Sequence, residues 1–184
     1  LLFDLPGGVV GELGKVMDHG LVPNALLSAY RRWGYAVTMV FVMTPIQASI
    51  RTVRQSIENF GDQVDYVAVK NLAFGAEDSF VLFDGCHHQG LQLPVSESKR
   101  ALQAQGGVLM TMPALDARSY ALLDVYSVSY MDAADGLGRA RSMPIADQER
   151  IGAWVQDFKR RMTPARRLLG FLPEPERLSE EETR

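Results

Sequence analysis

Residues 36–43 (AVTMVFVM) and 64–70 (VDYVAVK) decide the fold class. Both are continuous apolar runs that are rich in β-branched residues, and neither alternates between apolar and polar positions. Such runs are typical of parallel strands that are buried on both faces of a sheet. Residues 108–112 (VLMTM) repeat the pattern, and residues 1–4 (LLFD) form a shorter run that ends in a carboxylate. We therefore expect four buried strands in a mostly parallel sheet.

Helical patterns lie between these runs. Apolar residues recur at helical spacing, which predicts helices over residues 22–33, 45–59, 96–105, 116–134 and 145–169. Thr44, Ser96 and Asp116 are the expected caps of three of them, and Pro164 is expected to break or kink the last. Residues 85–95 are expected to be irregular. The alternation of strands and helices predicts an α/β fold with helices on both faces of the sheet.

The composition narrows the class of protein. The chain has 184 residues, of which 47% are hydrophobic and 22% charged, so a single domain over residues 1–172 is expected. The polar, proline-containing stretch 173–184 is expected to be a disordered tail. The formal net charge of -3 provides no bulk basic field for nucleic acid or an anionic membrane. No apolar run is long enough to span a bilayer, so no integral membrane segment is expected.

Two further features concern the compartment and the start of the chain. Cys86 is the single cysteine, which excludes an internal disulfide framework and a multi-thiolate zinc site. It fits a reducing compartment, and we expect a cytoplasmic protein. The chain begins at Leu1, inside an apolar run and without methionine, so we expect that an N-terminal part is missing from this sequence.

Candidate functional residues follow the expected strands, because ligands of parallel α/β sheets bind outside the carboxyl ends of the strands. Asp4 could hold a metal-bound water, or it could merely cap a turn. Gly7 and Gly8 would let backbone amides approach a phosphate. The Asn71 amide could read a purine edge, or Asn71 could simply form a turn. Pro113 could line a base pocket, or it could only end a strand.

Two other clusters are weaker candidates. Residues 86–88 (Cys-His-His) resemble a metal cluster, but no further ligand pair occurs at metal spacing, so a metal site is not the expected reading. A basic cluster lies near the end of the chain. It could bind a DNA backbone, an acidic partner or a membrane surface, but the solvated face of a packed helix is the favoured interpretation. Its members are Lys159, Arg160, Arg161, Arg166 and Arg167.

Taken together, four segments resemble the later half of a ParA/MinD-type P-loop ATPase. More narrowly, they are similar to the ParA-like proteins encoded with plasmid mobilisation, stability and conjugal transfer functions. The resemblance covers most of residues 1–134, and its motifs are weak singly and moderately specific together. The segments are LLFDLPGG (1–8), AVTMVFVMT (36–44), VDYVAVKN (64–71) and VLMTMPAL (108–115).

This resemblance implies a P-loop NTPase-like fold that binds ATP and Mg²⁺ and acts as a homodimer. Asp4 would be the catalytic carboxylate. It would order the attacking water and would bind the magnesium through a water molecule. Asn71 would contact adenine, and Pro113 would close the base pocket. The partners implied are non-specific DNA or a protein of the partition or transfer machinery. The expected function is an ATP-dependent dimer switch in plasmid partition, stability or conjugal transfer.

One departure from the family pattern limits this expectation. The phosphate-binding loop of the family ends in Gly-Lys-Ser/Thr, and no such loop occurs in the 184 residues. Residues 14–16 (Gly-Lys-Val) lack both the glycine spacing and the hydroxyl residue. The 184 residues alone are therefore expected not to hydrolyse ATP. A longer protein would do so if the missing N-terminal part carries the loop. The alternative is a non-catalytic α/β adaptor that keeps the fold without a phosphate-binding loop.

Overall fold

The computed structural model describes residues 1–5, 25–88 and 90–171. Five strands occur in this part of the chain: β1 Thr38–Met43, β2 Asp65–Asn71, β3 Cys86–His88, β4 Leu91–Leu93 and β5 Val108–Met112. The α-helices are α1 Ala25–Arg32, α2 Gln47–Phe60, α3 Val81–Asp84, α4 Glu97–Ala104, α5 Ala117–Tyr126, α6 Tyr130–Ala134 and α7 Ile145–Arg161. Short 3-10 turns span Gly61–Gln63, Leu72–Phe74, Glu77–Ser79, Gly138–Ser142 and Thr163–Ala165.

The main sheet has the order β1-β2-β5, and all its strands are parallel. The α/β class is therefore confirmed, with three parallel strands in the described part. β3 and β4 form a separate antiparallel hairpin, in a region that was expected to be irregular. β2 and β5 bury residues at their centres, whereas β1 buries Met43 at its end. In β2 the five residues from Tyr66 to Lys70 are all buried.

Helices cover the two faces of the sheet unequally. On one face, α2 and α4 pack their apolar stripes against β1 and β2, and Phe80 and Phe83 complete this core. On the other face, Val67 and Val69 of β2 pack with Met110 against the end of α7 and the turn after it. A third apolar cluster joins α5, α6 and α7 around Leu123 and Ile151. The carboxyl ends of β2 and β5 lie between these cores.

β1 was expected to be buried on both faces, and this is wrong for one face. Val40 is 43% exposed and Val42 is 56% exposed. Their register partners are Val67 and Val69, which are covered by the end of α7 and the segment that follows it. β1 is an edge strand of the sheet in the described residues, and the covering segment contacts it at Thr38, whose hydroxyl donates a 2.5 Å hydrogen bond to the Leu168 carbonyl.

The prediction of a strand at residues 1–4 is also wrong for this structure. Residues 1–5 form neither helix nor strand, and all five are exposed. A strand needs hydrogen-bonding partners and an apolar surface to cover it, and this segment has neither here. Gly7, Gly8 and the tail 173–184 lie outside the described residues. The single domain over 1–172 stays a prediction.

The ends of the helices confirm two of the three predicted caps. The hydroxyl of Ser96 accepts a hydrogen bond from the Lys99 amide, and the Asp116 carboxylate accepts from the amides of Arg118 and Ser119. Thr44 is not a cap, because α2 starts later and Ile46 occupies its cap position.

Two predicted helices end earlier than expected. The helix over 116–134 is divided because Ser127 adopts a left-handed conformation with φ 50°. Ser129 then caps α6 by accepting a hydrogen bond from the Asp132 amide. The last helix ends at Arg161, and Pro164 lies in the 3-10 turn that follows, where its missing N–H is tolerated.

Candidate functional site at the carboxyl ends of β2 and β5

Two of the predicted site residues lie side by side at one edge of the sheet. Asn71, the last residue of β2, is the register partner of Met112, the last residue of β5. Pro113 follows Met112 directly, so Asn71 and Pro113 occupy neighbouring strand ends. This is the edge where ligands of parallel α/β sheets bind.

Asn71 caps the turn after β2, and this cap uses only the oxygen of its side-chain amide. Its Oδ1 accepts a 3.0 Å hydrogen bond from the Ala73 amide and so caps the 3-10 turn after β2. Its Nδ2 donates to no protein atom among the described residues. The side chain is half-buried and held in one orientation by the cap, which leaves two N–H donors available to a ligand.

A cavity of about 390 Å³ opens beside Pro113. Residues after β5 form one wall and residues of α7 form the other. The lining is mostly apolar with charged groups at its margin: Pro113, Ala114, Leu115, Asp116, Arg150, Ala153, Trp154 and Asp157. An apolar cleft with a few polar groups at a strand end is the usual form of a small-molecule site.

Trp154 fixes the wall of this cavity. Its indole Nε1 donates a 2.7 Å hydrogen bond to the Pro113 carbonyl. The ring stacks with Tyr130, at a centroid distance of 4.9 Å, and with Phe158, at 5.3 Å. One turn beyond Phe158, Arg161 donates to the Thr111 hydroxyl at 2.7 Å. α7 is thus joined to the end of β5 at two points.

A buried carboxylate organises the charges near the cavity. Asp147 is 1% exposed, and its Oδ1 accepts hydrogen bonds from the Ser119 hydroxyl at 2.8 Å and from Arg150 at 3.0 Å. The Arg118 guanidinium lies 3.5 Å from its Oδ2. The pKa of the neighbouring Asp116 lies below its usual value, chiefly because the Ser119 amide donates to its carboxylate. Arg150 is held at the cavity margin by its hydrogen bond to Asp147.

A second charged cluster supports the end of β2. Lys70 is buried, and its Nζ lies 2.5 Å from Oδ2 of Asp84. Lys99 reaches the other oxygen of Asp84 at 2.9 Å. Burial acts to raise the pKa of Asp84, but the hydrogen bonds from both lysines outweigh it, so this pKa is lowered. The cluster ties α3 and α4 to the strand residue that precedes Asn71.

Asp4 is not brought to this edge by any described interaction. It lies in the exposed segment 1–5, and it makes no hydrogen bond or ion pair within the described ranges. Its role in ordering magnesium and water stays a prediction. The same holds for Gly7 and Gly8, whose positions fall outside the described residues.

The structure describes residues of both weaker clusters. Arg160 and Arg161 both pair with Asp157 on their own helix. His87 and His88 are exposed on β3. In the described ranges, no group of three or more His, Cys, Asp or Glu side chains could hold a metal ion. Within the same ranges, every helix is too short or too polar to cross a membrane.

Sequence reasoning missed Trp154 and Arg150 as parts of this site. Both lie on α7, more than thirty residues after Pro113, and their spacing is that of an ordinary amphipathic helix. The sequence offered one signal, which is that an indole N–H on an apolar face needs a buried acceptor. That signal does not identify the acceptor.

Comparison with known proteins adds no assignment. No protein-family model matches this chain, and no match was found among curated proteins or among solved structures.

The described residues fit one half of a nucleotide. The apolar cavity would suit the flat faces of a base, and the N–H donors of Asn71 lie at the neighbouring strand end, outside the cavity lining. Phosphates and Mg²⁺ need a cradle of backbone amides, a lysine and oxygen ligands. No Gly-Lys-Ser/Thr loop occurs in the sequence, and Asp4 stands apart from the cavity in the described interactions. The described residues therefore offer groups for a base, but no cradle for phosphates and no cluster of ligands for magnesium.

Proposed function

We propose that this chain binds an adenine nucleotide at the joined carboxyl ends of β2 and β5. One observation carries the proposal: Asn71 ends β2 with its Oδ1 engaged and its Nδ2 unpaired among the described residues, and β2 is paired with the strand that leads to Pro113 at the cavity. The amide would donate to a ring nitrogen of adenine, and the apolar walls would cover the base. The resemblance to ParA/MinD-type ATPases implies adenine contact for Asn71 and closure of the base pocket for Pro113.

The wider proposal follows that resemblance. The chain would be a P-loop NTPase-like domain of a ParA/MinD-type protein that acts in the cytoplasm as an ATP-dependent homodimer. It would serve plasmid partition, stability or conjugal transfer, with DNA or a transfer protein as the partner. The three parallel strands agree with such a domain. The 184 residues alone should bind nucleotide without hydrolysing it, because they contain no Gly-Lys-Ser/Thr loop.

The missing loop favours a second candidate, a non-catalytic α/β adaptor. Such a protein would keep the parallel sheet and bind a protein partner, and the cavity at Pro113 would be a packing defect between α7 and β5. Nucleotide binding separates the two candidates, since an adaptor of this kind requires none.

Calorimetry with Mg-ATP tests the proposal on the wild-type protein and on Asn71→Asp. Aspartate keeps the oxygen that caps the turn and loses the N–H donors, so the fold should persist while binding weakens. Asn59→Asp is the matched control, because Asn59 is exposed at the end of α2 and the change in charge is the same. We expect weaker binding by at least roughly fivefold in Asn71→Asp alone, the equivalent of one hydrogen bond. Equal binding by all three proteins, or none by the wild type, would remove the proposal.

A further inference from the structure

The segment 113–115 is anchored from outside its own strand. Pro113 has no N–H to donate to the sheet, and its carbonyl accepts the hydrogen bond from Trp154 Nε1 at 2.7 Å. The next element begins at the Asp116 cap, so residues 114 and 115 bridge two fixed points. The anchor lies forty-one residues away in the chain, on α7.

The two backbone amides of this bridge are available as hydrogen-bond donors. Within residues 25–88 and 90–171, the backbone amides of Ala114 and Leu115 donate to no protein atom. Ala114 is exposed, Leu115 is half-buried, and both line the cavity. Backbone polar groups at a cavity wall are either solvated or paired with a ligand, because leaving them buried and unpaired is costly.

Trp154 is held both by neighbouring rings and by its N–H. Its ring stacks with Tyr130 and with Phe158, at interplanar angles of 26° and 24°. The N–H edge of the indole points to the Pro113 carbonyl. The aromatic stack therefore restricts the indole, and the indole restricts the segment 113–115.

We propose that Trp154 is a positioning residue that determines which base the site accepts. It holds the 113–115 segment so that its backbone groups face the polar edge of the bound base. A purine with an exocyclic amino group, such as adenine, presents a donor and a ring acceptor that a backbone carbonyl and amide can match. The proposal rests on the proposed nucleotide site and adds the residue that sets its selectivity.

The test measures the affinities for Mg-ATP and Mg-GTP in the wild type, Trp154→Phe and Trp33→Phe. Phenylalanine keeps a stacking ring and removes the N–H. Trp33 is the other tryptophan of the chain and is 74% exposed, so Trp33→Phe is a matched control. That variant also leaves Trp154 as the single indole fluorophore, which makes its emission an independent measurement.

We expect the wild type and Trp33→Phe to bind ATP equally well and to prefer it over GTP. Trp154→Phe should bind ATP roughly fivefold more weakly, with a smaller ratio of ATP to GTP affinity. ATP should also change the emission of Trp33→Phe. A residue that served packing alone would lower both affinities equally or neither.

The possible results separate the two proposals. An unchanged ratio of affinities in Trp154→Phe, with ATP still bound, overturns the role of Trp154 and leaves the nucleotide site standing. If Trp154→Phe does not fold, unchanged emission of Trp33→Phe at saturating ATP overturns that role instead. A wild type that binds neither nucleotide overturns the site and the role of Trp154 together.

Discussion

Asn71 and Met112 are register partners at the ends of β2 and β5, and this pairing places Asn71 beside Pro113. Asn71 and Met112 are forty-one positions apart in the chain, and the parallel pairing of their strands brings them together. The candidate site is therefore a property of the sheet. It persists as long as β2 and β5 keep their register.

The first prediction concerns the cap formed by Asn71. Asn71→Ala removes the acceptor for the Ala73 amide and should lower the free energy of unfolding by about 1 kcal/mol. Asn71→Asp keeps an acceptor and should unfold within about 0.5 kcal/mol of the wild type. Urea denaturation measures both values. Equal losses in the two variants would show that the cap does not stabilise the turn.

The second prediction concerns the uneven cover of the sheet. Val69→Thr buries a hydroxyl among apolar neighbours and should cost about 2 kcal/mol, because Val69 is 4% exposed. Val42→Thr is the matched change at its register partner and should cost less than about 0.5 kcal/mol. Urea denaturation of the two variants makes the comparison. A large loss in Val42→Thr would mean that something covers that face of β1 in solution.

The third prediction concerns the turn that leads into the β3–β4 hairpin. A Cβ at Gly85 would lie 2.6 Å from the Leu93 carbonyl oxygen, and Gly85 has φ +79°. Gly85→Ala should therefore cost about 3 kcal/mol, from strain and from overlap with backbone. Gly90→Ala is the control, because Gly90 has φ +86° but open space around it, and it should cost about 1 kcal/mol. Thermal unfolding should rank the variants in this order, and the reverse order would contradict the hairpin geometry.

The fourth prediction concerns the carboxylate shared by two lysines. Asp84→Asn removes the carboxylate paired with the buried Lys70, whose Nζ keeps a 3.5 Å contact to the Glu77 carbonyl, and should cost about 3 kcal/mol at neutral pH. Asp78→Asn, an exposed position in a nearby 3-10 turn, is the control and should change little. Urea denaturation at neutral pH measures both. A small loss in Asp84→Asn would mean that Lys70 is satisfied by other groups.

The sign of the pH dependence follows from the lowered pKa of Asp84. A carboxyl group with a lower pKa in the folded state stabilises the fold above its unfolded pKa and loses that effect as pH falls through the folded value. The difference between wild type and Asp84→Asn should thus be full at neutral pH and shrink below the ordinary value of 3.8. A difference that grows on acidification would contradict the ion pairs.

Much of the sheet was predictable because its signal is local. β1, β2 and β5 fall within two residues of the predicted runs, since a continuous β-branched run has few other uses in a folded chain. The caps at Ser96 and Asp116 were predictable for the same reason, because the side chain and the amides it binds lie within three residues.

The failures concern partners that are distant in the chain. The pattern of residues 1–4 says that they are apolar, but it does not say which strand or helix would bury them. The exposure of Val40 and Val42 depends on where the segment after α7 lies, more than a hundred residues later. Asn71 and Pro113 were found as strand ends, whereas Trp154 was not found because its acceptor belongs to another element.

The most direct test of the account is an amide NMR titration with Mg-ATP. If the nucleotide binds at the ends of β2 and β5, the largest shift changes should fall on Asn71, Ala73, Ala114 and Leu115. A second cavity, of about 300 Å³, lies at the opposite end of the sheet and includes Tyr35, Gln63 and Asp65. The account predicts small changes there. Changes concentrated at that end, or no saturable change at any amide, would contradict it.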